Sequence, residues 1–392
     1  MRILMAHNYY QQRGGEDEAT EQEIALLRRK GHEVTHFFFR NDEIKNYSWR
    51  DKGSLAINTV WRSEVYKQTR EIINDFHPDV VHVQNFFPLI SPAIFFACER
   101  DKIPVVQTLW NYRLLCPNAL FLRDGRICQD CAGKRFAWPG ILHRCYRNSR
   151  SQTAVVALMQ TVHKSLGKWK NRIGLYIAPT EFVKREFVKS GLPAKKIVVK
   201  PPFVYPDPGM KINQGDYALF VGRLTVEKGI KLLVEAWANV ESLNLKVVGD
   251  GPLKHTIQAI IKEEGQHNVE LVGWRSYEEV IALIKGPRFL IFPSECFETF
   301  GRVAIEAFAC HVPVIASRLG TMAEIVEDGK TGLHFENGSL SDLVQKIHWA
   351  IANPQAVTIM GQNARSEFNK KYTAERNYNQ LMSIYQRAIN SS

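Results

Sequence analysis

Phe289-Leu290-Ile291-Phe292-Pro293-Ser294-Glu295-Cys296-Phe297-Glu298-Thr299-Phe300-Gly301-Arg302-Val303-Ala304-Ile305-Glu306-Ala307 is the stretch on which the fold turns. Its first four residues form a short apolar run, the pattern of a strand buried on both faces of a parallel sheet. A loop follows, then an Ala-rich helical stretch reaching residue 309. Such a strand-loop-helix unit leaves free backbone N–H groups and the positive end of a helix dipole at the carboxyl edge of the sheet, a place suited to phosphate.

Working outward, apolar strand-like runs alternate with helical patterns along the whole chain, which predicts two doubly wound α/β units. In the first half the strands are expected at 3–6, 34–39, 80–83, 105–109 and 175–178. A helix over 18–30 carries Ile24, Leu26 and Leu27 on its apolar side, with Gly31 just past its end. The proline-rich run 200–209 suits neither a helix nor a central strand and reads as an interdomain linker. Beyond it strands are expected at 217–221, 245–248, 269–272, 289–292 and 312–316, and a helix at 378–389. The resulting division is a first domain over 1–203 carrying an insertion at 113–147, a second over 204–374, and a final helix over 375–392 returning toward the first. Two such domains facing one another leave a cleft between strand carboxyl ends, where ligands bind in these folds.

At 392 residues, two domains are the default. No secretory pattern opens the sequence, and the most apolar long window, 80–98, is interrupted by His82, Gln84, Asn85, Pro88 and Pro92, so a cytosolic location is expected. The net charge of +11 is unevenly placed: residues 1–200 carry a surplus of +13 and the remainder −2. A basic half points to an anionic partner, and phosphate-bearing substrates, an anionic membrane surface and nucleic acid all qualify.

The chemistry-bearing motifs lie at strand ends. Glu298 and Glu306 are separated by eight residues, about 12 Å at a helical rise, a span that suits one carboxylate on a sugar ring and the other on a ribose diol. Without their surroundings the same residues fit a helix cap and a solvated surface charge. Gly222-Arg223 and Lys228-Gly229 follow the first strand of the second unit, where Arg223 can clamp a diphosphate bidentately and Lys228 can supply a point charge, unless both simply face solvent. Gly249-Asp250-Gly251-Pro252 is a glycine turn at the next strand end. Near the N-terminus, Arg13-Gly14-Gly15-Glu16-Asp17 follows the first strand; adjacent glycines admit a phosphate or sugar, and equally form a plain turn.

In this order and spacing the motifs resemble the retaining family 4 glycosyltransferases of the GT-B fold, which pair two Rossmann-like domains. The resemblance covers nearly the whole chain and continues through Pro313-Val314-Ile315-Ala316, Glu324-Ile325-Val326 and Gly329-Lys330-Thr331-Gly332. It implies a nucleotide diphosphate sugar as donor and no catalytic cofactor. It further implies that Arg223, Lys228 and Glu298 carry the chemistry, with Glu298 on sugar hydroxyls and the two cations on the leaving diphosphate. Glu306 would hold the ribose, and Gly14, Gly15, Trp110, Gly222, Gly249, Gly251, Thr299, Phe300 and Gly301 would complete the donor site. The donor phosphate itself would take the acceptor proton, so no enzymic nucleophile is assigned. The chain departs from relatives at Trp110, where they commonly carry a His facing the sugar; an indole there alters the subsite toward a smaller or deoxygenated ring, or is a core residue. His311 replaces a common Gly and reads as a turn variant.

Four cysteines, Cys116, Cys128, Cys131 and Cys145, fall in or beside the loop-like stretch 113–147. A C-x-x-C pair with two outer thiolates suits one structural zinc, as in a similar insertion of some relatives, and leaves iron–sulfur ligation or reduced thiols as alternatives. Residues 153–172 form an amphipathic helical pattern, either packed on its own domain or seated on anionic lipid near a lipid-linked acceptor. The expected function is sugar transfer to a glycan or lipid-linked acceptor in surface polysaccharide or glycolipid assembly, at the inner face of the membrane. The competing functions are a nucleotide-sugar epimerase or hydrolase on the same frame and a zinc-containing nucleic-acid-binding module. The last lacks any recurrent basic-aromatic pattern or recognition-helix motif.

Overall fold

The structure, a computed structural model, describes residues 1–391 apart from 12–13, 47–48 and 211–214, with the backbone alone at 45–46 and 49–52. Arg13 therefore lies outside the described residues. The chain divides into two compact units, one of Met1–Phe121, Gln129–Pro202 and Ala374–Ser392, the other of Leu122–Cys128 and Phe203–Thr373.

In the first unit, strands β1 (Arg2–Tyr9), β2 (Glu33–Arg40), β3 (Val80–Asn85) and β4 (Val105–Thr108) lie in one sheet. A small antiparallel pair, β5 (Leu122–Arg123) and β6 (Arg126–Ile127), interrupts the sequence before β7 (Leu175–Ala178) and β8 (Ile197–Val199) complete that sheet. The order is β2-β1-β3-β4-β7-β8, all parallel. Its inner strands β1, β3, β4 and β7 are buried almost throughout, as in a sheet covered on both faces, while the edge strand β2 is partly exposed. One face, with Ile3, Met5, Val80, Val106, Leu175 and Ile177, packs on Ile24 and Leu27 of the helix Gly15–Arg29 and on Leu381, Ile384, Tyr385 and Ala388 of the helix Ala374–Asn390. Each fully buried Leu or Ile there contributes roughly 1.5–3 kcal/mol, so the last helix is part of this unit's core.

The second unit holds β9 (Tyr217–Val221), β10 (Asn244–Val248), β11 (Val269–Gly273), β12 (Leu290–Phe292), β13 (Val314–Ser317) and β14 (Gly332–Phe335). They are parallel, in the order β11-β10-β9-β12-β13-β14. Strand order therefore reverses between β9 and β12, and a crevice at the carboxyl end of such a switch point is where ligands bind.

Several elements differ from the sequence expectation. The helix expected at 18–30 begins at Gly15 and ends at Arg29, because Gly14 in extended conformation serves as its N-cap. The stretch 113–147 is not wholly irregular: besides β5 and β6 it forms a short helix, Trp138–Leu142. The helical pattern 153–172 is two helices, Arg150–Ser165 and Lys168–Asn171, broken at Gly167 with φ 65°. Val156 and Met159 of the longer one are fully buried, while Leu158 and Leu166 are exposed. Its apolar face thus packs within its own unit. Among the described residues no helix is long and apolar enough to cross a membrane.

Candidate active site

The β9 and β12 loops meet at the switch point of the second sheet. Gly229 has φ 65°, and a Cβ on it would lie 1.9 Å from the Pro293 carbonyl oxygen, so only glycine lets the two backbones touch here. The Glu295 N–H donates to the Glu227 carbonyl at 3.0 Å and fastens the same contact. This approach brings Lys228 Nζ to 2.6 Å from Glu298 Oε1, which also accepts from Ser294 Oγ at 2.7 Å. The Ser294 carbonyl in turn accepts from the buried Ser317 Oγ at 2.6 Å, tying the loop to β13. Burial opposes the charge on Lys228, but the Glu298 carboxylate hydrogen-bonded to it outweighs that and raises the ammonium's pKa. Burial pushes the Cys296 thiol well up, so it is no thiolate nucleophile.

Arg223 is about half exposed and donates from Nη2 to Glu227 Oε1 at 3.3 Å. Its guanidinium thus stays at the rim, close in the chain to Lys228. Glu306 is 4% exposed, which excludes a solvated surface charge. Its Oε1 accepts from Arg302 Nη2 at 3.1 Å and Nε at 3.3 Å, one helical turn earlier. The helix Arg302–Ala309 is capped by Gly301 with no side-chain bond, so Glu298 is not its cap either. The ring of Phe300 is buried in the core against Tyr372, leaving its backbone as the part that can meet a ligand. A Cβ on Gly301 would stand 2.7 Å from Met322 Sδ.

Gly249 and Gly251 have a packing reason for being glycine. With φ 138°, Gly249 would place a Cβ 1.9 Å from the Gly222 carbonyl oxygen, and a Cβ on Gly251 would fall 2.6 Å from that of Leu224. Gly222 N–H donates to Val248 O at 3.0 Å and Leu224 N–H to Asp250 O at 3.0 Å, so the β9 and β10 loops are held edge to edge.

Gly14, Gly15 and Trp110 belong to the first unit. The Gly14 N–H donates to Asp17 Oδ2 at 3.1 Å, and Asp17 Oδ1 lies 2.7 Å from Nε2 of the buried His7, which anchors the turn beneath the glycines. Trp110 is partly buried; its Nε1 donates to Gln84 Oε1 at 2.7 Å. It lines a narrow pocket, open in part to solvent, with Gln84, Gln107, Asn111 and Arg113 among others. His311 has φ 61°, in the left-handed region that favours glycine, which agrees with its reading as a turn residue.

The four-cysteine metal set expected from the sequence is not formed. Among the described residues no three His, Cys, Asp or Glu side chains are grouped to hold a metal ion. Cys116 Sγ instead donates to Asn118 Oδ1 at 2.9 Å, and Cys131 Sγ lies 3.9 Å from the Ala137 carbonyl. Turn bonds of the segment, Ala119 N–H to Cys116 O and Cys145 N–H to Gly140 O among them, order it without a cross-link. Sequence reading also passed over Arg302 and Ser294. An Arg four residues before a Glu on a helix was the available sign of the first; the second had none, since any loop can hold a serine.

Two units, each a parallel doubly wound sheet, the second with glycine-, lysine- and glutamate-bearing loops at its carboxyl edge, define a double-Rossmann protein. The profile for "Glycosyl transferases group 1" matches residues 209–367, and that for "Glycosyltransferase Family 4" matches 18–207. The chain belongs to the group 1, family 4 glycosyltransferases and has their GT-B fold. An uncharacterised glycosyltransferase of Methanocaldococcus jannaschii is 37% identical over 176 residues, 44% of this chain and 49% of that one. The match thus spans about half the length of this relative. The lipopolysaccharide 1,2-N-acetylglucosaminetransferase of Salmonella typhimurium is 27% identical over 259 residues, 59% of this chain and 67% of that one. Among solved structures, HepE of Anabaena in complex with UDP and glucose superposes with a TM-score of 0.70 at 17% identity, over 97% of this chain and 98% of that one.

Proposed function

We propose that the chain transfers a sugar from a nucleoside diphosphate sugar to a glycan or lipid-linked acceptor in polysaccharide or glycolipid assembly, with retention of anomeric configuration. The observation that carries this reading is the Lys228–Glu298–Ser294 cluster at the switch point of the second sheet. Glu298 meets sugar hydroxyls, the backbone of Thr299, Phe300 and Gly301 meets sugar or phosphate, and Glu306 takes the ribose. As the anomeric carbon–oxygen bond to phosphate breaks, the electron pair goes to the diphosphate, where Lys228 and Arg223 stabilise the developing charge. The acceptor oxygen bonds to the anomeric carbon and its proton goes to the departing phosphate. Fixed cations and a helix N-terminus supply the neutralisation without a divalent metal in the chemical step. Glu298 Oε1 already accepts two hydrogen bonds, which favours a binding role over attack on carbon. The basic surplus of residues 1–200 supports an acceptor carrying negative charge at the cytoplasmic face of a membrane.

The test begins with a panel of nucleotide sugars, UDP-glucose first because HepE holds UDP and glucose. Proton NMR of the first product formed in the presence of EDTA reads the anomeric configuration. The donor's configuration is expected in the product. Inversion overturns the retaining mechanism, and a requirement for added Mg²⁺ or Mn²⁺ overturns metal independence.

A further inference from the structure

Beneath Trp110 runs a buried chain of polar side chains that the transfer chemistry does not use. Trp110 Nε1 donates to Gln84 Oε1 at 2.7 Å, and Gln84 Nε2 donates to Glu23 Oε1 at 2.7 Å, with Met5 Sδ 3.6 Å away. Glu23 Oε2 accepts from Lys200 Nζ at 2.8 Å, and the same ammonium donates to Asn377 Oδ1 at 3.1 Å. Asn377 Nδ2 closes the chain on the Pro201 carbonyl at 2.7 Å. Gln84, Glu23, Lys200 and Asn377 are all 5% exposed or less.

The donor and acceptor types fix every direction in this chain. Glu23 is a carboxylate: burial pushes its pKa up, but Lys200 and His82 outweigh that and lower it. A carboxylate only accepts, so the Gln84 amide must present its NH₂ to Glu23 and its oxygen to the indole. Turning the amide over would set NH₂ against N–H and oxygen against carboxylate, breaking two buried hydrogen bonds together. The charge of Lys200, at the entry to the proline-rich segment, therefore settles the orientation of a side chain lining the pocket. With its single N–H given to Gln84, Trp110 has no hydrogen-bond donor left for a ligand in that pocket.

We propose that Gln84 is a positioning residue, held by the Glu23–Lys200 pair, that fixes the Trp110 indole and, by taking its one N–H, makes the pocket beside it selective among sugars. The identity of the occupant as a sugar rests on the function proposed above; the positioning does not. Gln84→Leu removes the acceptor for the indole. It is expected to raise KM for the sugar substrate about tenfold, one lost hydrogen bond, with a smaller change in kcat. Lys200→Met strands the Glu23 charge and disturbs the indole, while Lys200→Met combined with Glu23→Gln restores an amide acceptor and recovers it.

The deciding readout is the Trp110 indole resonance in ¹⁵N-tryptophan-labelled protein, assigned by its loss in Trp110→Phe. In the unaltered protein this N–H should exchange with D₂O far more slowly than that of the exposed Trp274, a measurement that needs no destabilised variant. In folded Gln84→Leu the resonance should move upfield. Exchange as fast as Trp274, or an unmoved resonance in folded Gln84→Leu, overturns the positioning. An unmoved KM beside a moved resonance overturns the selective role. If no transfer is observed with any donor, the function proposed above has failed and the exchange measurement still decides the positioning.

Discussion

Lys228 and Glu298 hold each other at 2.6 Å in a site where their side chains are 22% and 15% exposed, so neither can be altered alone without consequence. Under the proposed function, Lys228→Met removes a cation from the leaving group, and in any case it leaves a largely buried carboxylate. We expect kcat to fall about 100-fold, the scale of losing one fixed electrostatic group, with little change in fold by circular dichroism. An unchanged kcat would remove Lys228 from the chemistry. Glu306 is bound in the same way to Arg302, both 7% exposed or less at the side chain. Glu306→Gln alone should lose about 3 kcal/mol of stability because it strands a buried guanidinium. Arg302→Met with Glu306→Gln should regain much of that stability without regaining nucleotide affinity. Recovery of affinity in the double variant, by calorimetry, would show that Glu306 serves the fold and not the ribose.

The elements that present these residues depend on backbones approaching where no Cβ fits. Gly249→Ala combines φ 138° with a Cβ position 1.9 Å from the Gly222 oxygen, so the β9 and β10 loops must separate. A loss of roughly 3 kcal/mol is expected, read as a lower denaturant midpoint with an unchanged slope; a midpoint equal to the parent's would contradict the loop contact. The sheet strands were legible because Leu290, Ile291 and Phe292, like Val314, Ile315 and Ala316, are buried on both faces and so form unbroken apolar runs. β8 and β14 were not: Ile197–Val199 is hemmed in by Lys195-Lys196 and Lys200-Pro201, and Gly332-Leu333-His334-Phe335 opens on glycine and buries a histidine that bonds the Val326 carbonyl at 2.8 Å. The site was legible where motif chemistry is local, as at Gly229 and Glu298. It was opaque where a partner is distant in sequence, as with Gln84 under Trp110 and Lys200 under Glu23. The cysteines misled because spacing suggests a ligand set and only tertiary placement decides whether thiolates converge.

At the scale of the whole chain, the first unit carries an acid-sensitive group in its core. His82 is fully buried, with Nδ1 2.7 Å from Tyr385 Oη and 3.3 Å from Glu23 Oε1, and Nε2 2.8 Å from Thr108 Oγ1. Burial, opposed by Glu23 and aided by Lys200, pushes its pKa down from 6.5 to about 4. Above pH 6.5 both folded and unfolded histidine are neutral. Between 6.5 and 4 only the unfolded form binds the proton, so stability falls with pH, by up to roughly 3 kcal/mol at pH 4. The lowered carboxylate of Glu23 adds a further loss below its ordinary range, and His163, also lowered chiefly by burial, acts in the same direction as His82. His82→Gln should flatten this acid limb in denaturant titrations; an identical limb would place the sensitivity elsewhere. The donor site in the second unit remains the central claim, and calorimetric titration of the chain with a panel of nucleoside diphosphates tests it most directly. At least one nucleotide should bind, and Lys228→Met and Arg302→Met with Glu306→Gln should each weaken that binding about tenfold or more, the loss of a charge-assisted contact. Binding by none of the panel, or binding indifferent to both variants, would contradict it.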